Sequence, residues 1–369
     1  MLENGNILIL DGAMGTMIQR YGLTEEDYRG GKLSACTKEL KGNSECLNLT
    51  RPEIIKAIHK EYIEAGADII ESNTFSANRI SQAEYGCEGF AAEMAYEGAR
   101  LAREAADEAM NCKSSEMWSD GDAETGCGRK IWVAGSIGPT SKSLSLSPDV
   151  SDPAFRAYSF DQMKEAYREQ AEALLRGGAD ILLIETCFDA LNVKAALAAI
   201  VSLDRDGLIT NKQNNLPPVI VSVSVGDKSG RTLTGQTLEA FYTSVKHYPL
   251  LAFGLNCSLG AAEMTTLLED VDKWCECAVS CYPNAGLPNE MGGYDQTPEQ
   301  MGEAVKAMAG KGLVNILGGC CGTSPAHIKA IAQAVKGIPA RSKSSNSGHI
   351  KDMTPQNEVI SSIRALLRI

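Results

Sequence analysis

Aromatic residues make up only 6% of this 369-residue chain, so whatever core it builds must be mainly aliphatic. There is no block of basic residues, and the formal net charge is −12. Such a chain repels a phosphate backbone or an anionic lipid surface, which argues against nucleic-acid and membrane partners. Long apolar runs are missing too: no segment approaches the roughly 18 residues of a membrane span. The opening MLENGNILILDG has no cationic leader, and its apolar stretch is too short for a signal peptide. Histidine is scarce. His59, His247, His327 and His349 show neither H-E-x-x-H nor paired-ligand spacing, which disfavours a histidine-rich metal centre, and His59 reads as a helix-face residue.

Cysteine, by contrast, is plentiful. Twelve cysteines are scattered without framework spacing. In a long chain with no export signal they read as reduced thiols, and the expected location is cytoplasmic.

Three stretches share one pattern. TRPEIIKAIHKEYIEAGADIIESN starts with a potential capping box at Thr50 and Glu53, and then places Ile54, Ile55, Ile58, Tyr62 and Ile63 on one helical face. It stops at Gly66 and enters an apolar strand. The stretch from Ser159 to Thr186 repeats this, as does TPEQMGEAVKAMAGKGLVNILGG, with Pro298 in its first helical turn. Helix, glycine stop and buried strand form the second half of a βαβ unit. Continuous apolar strands, rather than alternating ones, predict a parallel sheet covered on both faces.

Eight strands are expected, around Ile7–Leu10, Asp68–Glu71, Ile131–Gly135, Ile181–Glu185, Val219–Val223, Ala252–Asn256, Ala278–Tyr282 and Val314–Leu317. Eight strand–helix units predict an α/β fold, a single-domain (β/α)8 TIM barrel over residues 1–337, whose site lies at the C-terminal strand ends. A doubly wound open sheet is the alternative, but no G-x-G-x-x-G turn follows the first strand. Long polar intervals after the first two strands predict loops that decorate the mouth. Residues 338–369 read as a linker-like tail in which NEVISSIRALLRI can form a short amphipathic helix.

The strand-end residues are polar: Asp11, Ser72 and Asn73, Ser136, Glu185 and Thr186, Asn256 and Cys257, Asn284, and finally Cys320 and Cys321. A cysteine pair alone reads as two small buried hydrophobes. A third cysteine at the end of another strand turns the reading toward zinc, bound by Cys257, Cys320 and Cys321 with a fourth position open. Flanking glycines let adjacent side chains point at one ion. Cys275 and Cys277 lie in a C-x-C that reads as helical, where the two do not share a face. Cys187 and Cys281 read as packing residues. Asp11 and Glu185 end apolar strands, where a charge is costly unless paired. They take either structural partners or a cationic group such as an ammonium.

LDGAMGTMIQ, RPEIIKAIHKEYIEAGADIIESNTF, GADILLIETCFDALNVKAAL, GRTLTGQTLEAFY, FGLNCSLGAAEM, YPNAGLPNEMGGYD and NILGGCCGTSPAHI resemble the homocysteine S-methyltransferase family over about Asn6 to Val335. The similarity is nearest to the homocysteine-binding module of cobalamin-dependent methionine synthase. That resemblance implies a barrel with a three-cysteine zinc site at Cys257, Cys320 and Cys321, and an ammonium site at Asp11 and Glu185. Asn73, Ser136 and Asn256 fall in matching motifs and are expected to bind substrate. The implied reaction is zinc-assisted methyl transfer to homocysteine, giving methionine, with methylcobalamin as donor. The D-x-H-x-x-G motif of a cobalamin module is absent. A corrinoid donor is therefore expected to arrive free, on a separate corrinoid-binding protein or on further modules. Relatives that use betaine or S-methylmethionine share the zinc motif, and a non-catalytic subunit that binds a corrinoid protein is the competing reading.

Overall fold

The computed structural model describes residues 5–111, 129–205, 216–289 and 292–342. Its eight strands are β1 (Leu8–Ile9), β2 (Ile69–Glu71), β3 (Trp132–Ile137), β4 (Ile181–Cys187), β5 (Val219–Val223), β6 (Ala252–Asn256), β7 (Ala278–Tyr282) and β8 (Ile316–Leu317). Each coincides with an expected strand. All sheet pairings are parallel, in the order β1-β8-β7-β6-β5-β4-β3-β2. A parallel bridge between Leu10 and Ile69 joins the two ends, with Asp68 N–H donating to the Ile9 carbonyl at 2.7 Å. The sheet is a nearly closed (β/α)8 barrel.

The apolar runs divide by the two-residue period of a strand. Leu10, Ile69, Ala134, Ile181, Leu183, Ile220, Ala252, Tyr282 and Ile316 fill the barrel interior as one cluster. Their neighbours Ile70, Val133, Leu182, Ile184, Val219, Val221, Phe253, Val279 and Leu317 point the other way, into a larger cluster shared with the helices. Both faces are buried, which is why the strands read as continuous apolar runs.

One main helix follows each strand: α1 (Pro52–Glu64), α2 (Ala91–Asn111), α3 (Phe160–Arg176), α4 (Ala190–Arg205), α5 (Leu238–Val245), α6 (Ala261–Trp274), α7 (Pro298–Gly310) and α8 (Pro325–Val335). Capping boxes start α3 at Ser159 and Gln162 and α7 at Thr297 and Gln300. The box expected at Thr50 and Glu53 does not form. Thr50 is itself the last residue of a short helix, Leu47–Thr50, and its hydroxyl donates to the Cys46 carbonyl at 3.2 Å. Arg51 is the N-cap of α1 instead, with Pro52 in the first turn.

The long interval after β1 folds into short helices, Met14–Gln19, Glu25–Arg29 and Leu47–Thr50, and buries its own Leu33, Cys36, Leu40 and Cys46. At the opposite end of the barrel, residues 338–342 stay on the floor. Pro339 bridges to Asn6, and buried Arg341 binds Asp272 at 2.6 Å and the carbonyls of Cys275 and Cys277. The remainder of the tail, including the expected terminal helix, lies outside the described residues. Among the described residues no helix is long and apolar enough to cross a membrane.

Candidate metal centre and its carboxyl pocket

The C-terminal ends of β6 and β8 bring together the three cysteines that the strand spacing singles out. Cys257 Sγ lies 3.9 Å from Cys321 Sγ, which lies 4.0 Å from Cys320 Sγ, and all three sulfurs fall within 4.8 Å of one another. A tetrahedral zinc with sulfur at about 2.3 Å spaces its ligand atoms about 3.8 Å apart. The donor set fits that ion. Among the described residues this is the one cluster of three such ligands.

The backbone holds the sulfurs in place. Cys320 N–H donates to the Pro283 carbonyl at 2.8 Å, and Ala285 N–H donates to the Cys321 carbonyl at 2.9 Å. Gly322 turns the chain with φ +80°, and a Cβ there would lie 2.3 Å from Tyr294 Cβ. Only glycine fits that approach. The described non-glycine residues with positive φ are Thr186, Cys257 and Ser258, all at strand ends around this mouth. Backbone strain concentrated in this way marks a functional site.

Without a cation the three thiols cannot all ionise. Hydrogen bonds from Cys257 and then Cys320 lower Cys321 to about 3, whereas the same kind of contact from Cys257 and Cys321 pushes Cys320 up. One thiolate is cheap and three are not, so full ionisation requires a positive charge at the centre.

Beside the sulfurs lies a pocket of carboxyl groups. Asp11 is 2% exposed and Glu185 5%. Asp11 Oδ2 accepts the Glu71 N–H at 3.0 Å, while Oδ1 is buried without a partner. Glu185 accepts the Ser136 hydroxyl. Desolvation raises Asp11 well above the usual carboxylate range and pushes Glu185 to about 7. Sequence reading missed Glu71, the last residue of β2, whose carboxyl is raised well above the usual carboxylate range by desolvation and by the neighbouring charges of Glu185 and Asp11. Its one signal is a charge closing the apolar run DIIE.

Asn256 is fully buried and links the two groups. Its amide donates to Thr186 Oγ1 at 2.8 Å and approaches Cys320 Sγ at 3.9 Å, while its oxygen accepts from Ser222 Oγ at 2.7 Å. The amide nitrogen of Asn73 has partners of its own. It donates to the Ser44 carbonyl at 2.8 Å and to Asn48 Oδ1 at 2.9 Å, tying the loops after β1 and β2 together.

A family model described as homocysteine S-methyltransferase matches residues 8–335. The chain belongs to that family. Two solved structures of the homocysteine methyltransferase MmuM from Escherichia coli resemble it in fold. The oxidised form has 23% identity and a TM-score of 0.64, covering 89% of this chain and 95% of that one. The metallated form has 24% identity and a TM-score of 0.63, covering 89% and 96%. The protein is accordingly a methyltransferase acting on homocysteine.

The other described cysteines of this methyltransferase are not part of the centre. Cys187 and Cys281 are buried in the core, with Cys281 Sγ 3.5 Å from Met264 Sδ. Cys275 and Cys277 are not helical, as the periodicity predicts, but lie just past the end of α6. Extended backbone at Cys275 brings their sulfurs to 3.7 Å, at the floor of the barrel.

Proposed function

We propose that this homocysteine methyltransferase holds a zinc ion on Cys257, Cys320 and Cys321 and transfers a methyl group from methylcobalamin to homocysteine, giving methionine. The observation that carries the reading is the sulfur triangle at zinc spacing beside a buried pocket whose carboxyl groups have no lysine or arginine partner among the described residues. A zinc ion bound there supplies the positive charge that keeps a fourth sulfur as thiolate at neutral pH, where a free thiol of pKa about 8.5 is mostly protonated.

The chain's own residues do the rest. Asp11 and Glu185 take the substrate ammonium, which gives two buried carboxylates the positive partner they lack. Ser136 fixes the Glu185 carboxylate by donating to it. Asn256 sets Thr186 at the strand end and lies against Cys320, so it aligns ligand and pocket. Asn73 braces the loops that wall the mouth. Methylcobalamin is favoured as donor by the resemblance of SLSPDVSDPAF and GRTLTGQT to the cobalamin-dependent branch. Those stretches follow β3 and β5, on the mouth side. The corrinoid arrives free, on a separate protein or on further modules.

The test is methionine formation from homocysteine and methylcobalamin by zinc-loaded protein, followed through loss of the methyl–cobalt absorbance. Turnover that disappears on chelation and returns with zinc supports the whole reading. Turnover with S-methylmethionine or betaine alone would keep the zinc–thiol site and overturn the donor. Homocysteine binding without release of a thiol proton would overturn the metal role.

A further inference from the structure

The segment that carries Asp11 and the loop that carries Cys320 and Cys321 leave the paired strands β1 and β8 side by side, and one side chain is built into both. Thr323 is fully buried. Its hydroxyl donates to the Cys320 carbonyl at 2.7 Å and accepts the Ala13 N–H at 3.1 Å. Gly319 N–H donates to the Asp11 carbonyl at 3.0 Å, and Gly322 N–H donates to Thr16 Oγ1 at 3.2 Å. Buried Tyr62, from α1, aims its hydroxyl between the Ala13 carbonyl, 3.1 Å away, and the Thr323 carbonyl, 3.4 Å away.

Glycines in DGAMGT and GGCCGT make the room for this contact. A Cβ on Gly12 would lie 2.7 Å from Thr323 Oγ1 and 2.9 Å from the Tyr62 ring, and a Cβ on Gly319 would lie 2.6 Å from both Thr323 Oγ1 and Thr323 Cγ2. Neither glycine has a positive φ, so the close approach of Thr323, rather than a turn, excludes a side chain there. The two bonds of the hydroxyl are unequal. Without it, the Cys320 carbonyl keeps the Thr323 N–H at 3.1 Å, and Cys320 N–H keeps the Pro283 carbonyl at 2.8 Å. The Ala13 N–H loses its protein partner. The loss therefore falls on the segment that carries Asp11, whose Oδ1 is buried and unpartnered.

We propose that Thr323 is a positioning residue for the substrate ammonium: its hydroxyl fixes the segment from Asp11 to Ala13 against the metal-ligand loop, and so sets the Asp11 carboxylate at a fixed place relative to the three sulfurs. This rests on the function proposed above, in which Asp11 takes the amine and zinc takes the thiol of one substrate. A short aminothiol has a limited reach between its two ends, so a site that binds both must hold its two loops in register.

The experiment compares homocysteine with its deaminated analogue, 4-sulfanylbutanoate, by calorimetric binding to zinc-loaded wild type, Thr323→Val and Thr323→Ser. Zinc affinity by chelator competition and melting temperature are measured alongside. Valine keeps the shape of threonine without the hydroxyl, and serine keeps the hydroxyl without the methyl. Wild type is expected to prefer homocysteine. In Thr323→Val that preference falls about fivefold, the size of one neutral hydrogen bond, while zinc affinity stays within about twofold. Thr323→Ser melts lower through the lost methyl but keeps the preference within about twofold, a rescue that a packing residue would not give. Gly12→Ala reaches the same contact from the other side by pushing the hydroxyl away, and is expected to lose the preference as valine does, so the test stands even if valine does not fold. An unchanged preference in Thr323→Val and Gly12→Ala overturns the proposal, and so does a serine variant as poor as valine. Zinc affinity that falls as far as the preference would place the effect on the metal loop and overturn the assignment to Asp11. A wild type that binds both thiols equally is a different failure, that of the ammonium pocket itself.

Discussion

Carboxylates sit at both ends of this barrel, and they are treated in opposite ways. At the floor, Asp68 precedes β2 and pairs with Arg129, and its other oxygen accepts the Ile9 N–H at 2.9 Å. Asp180 precedes β4, lies 3.0 Å from Arg103 and accepts the Val133 N–H at 2.8 Å. Arg341 and Asp272 complete the same pattern. At the mouth, Asp11 and Glu185 have hydrogen bonds, and neither they nor Glu71 has a lysine or arginine partner among the described residues. A fold built for stability alone would match both ends. The difference separates the end that holds the barrel together from the end that waits for a ligand.

The sharpest way to break this contrast is at the sulfurs. Cys320→Ser is expected to abolish metal binding and turnover while leaving the circular dichroism spectrum unchanged, because the ligand lies at a strand end outside the helix-facing core. Full activity in that variant would end the metal assignment.

The carboxylates come next. Glu185→Gln should weaken homocysteine binding by about ten- to a hundredfold, the loss of a charge-assisted contact, without lowering the melting temperature. Asp180→Asn at the floor should do the reverse. It should cost about 1–3 kcal/mol of stability through the broken pairing with Arg103, with substrate affinity unchanged. Matched effects at the two ends would erase the distinction.

Acidity provides a smaller effect with a definite sign. Glu185 holds its proton up to about 7 in the folded, ligand-free protein, against 4.5 for the free side chain. Its contribution to stability is therefore fully present below about pH 4.5 and is lost as the pH rises through 7. Denaturant midpoints of metal-free protein should fall less over that range in Glu185→Gln than in wild type.

The smallest effect belongs to His59. Neither ring nitrogen of this fully buried residue has a partner, and desolvation lowers it to about 4. The neutral ring contributes stability above about 6.5 that is lost as the pH falls toward 4. His59→Leu should remove that acid-side slope and be more stable than wild type by about 1 kcal/mol near pH 5. Both should melt alike at pH 8.

Much of the barrel was legible because its cause is local. Runs such as ILLIE and VIVSV are buried on both faces, so they show as unbroken apolar segments whatever they pair with. Cys257, Cys320 and Cys321 were legible for a similar reason: each follows such a run, and strand ends converge in a barrel. The misreadings share a different cause. Thr50 and Glu53 have the right spacing for a cap, but the chain enters α1 from another short helix, so Thr50 is not extended. Cys275 and Cys277 follow a helical pattern, but the helix stops at Trp274, before either cysteine. The partners of Asn73 are a separate matter that the sequence could not show: its amide nitrogen donates to Ser44 and Asn48, in an interval that no local pattern places beside it.

The order of strands and helices and the sulfur ligands offered to a metal were determined by the sequence itself, since apolar period and residue type are local properties. Which charges face one another was decided only by the tertiary structure. Asp11 and Glu185 are far apart in the chain, yet the closed sheet brings both strand ends to one mouth, where the Glu185 charge helps to raise Asp11. The energy of two buried charges depends on the distance between them and on the water excluded around them, and neither quantity is written along the chain.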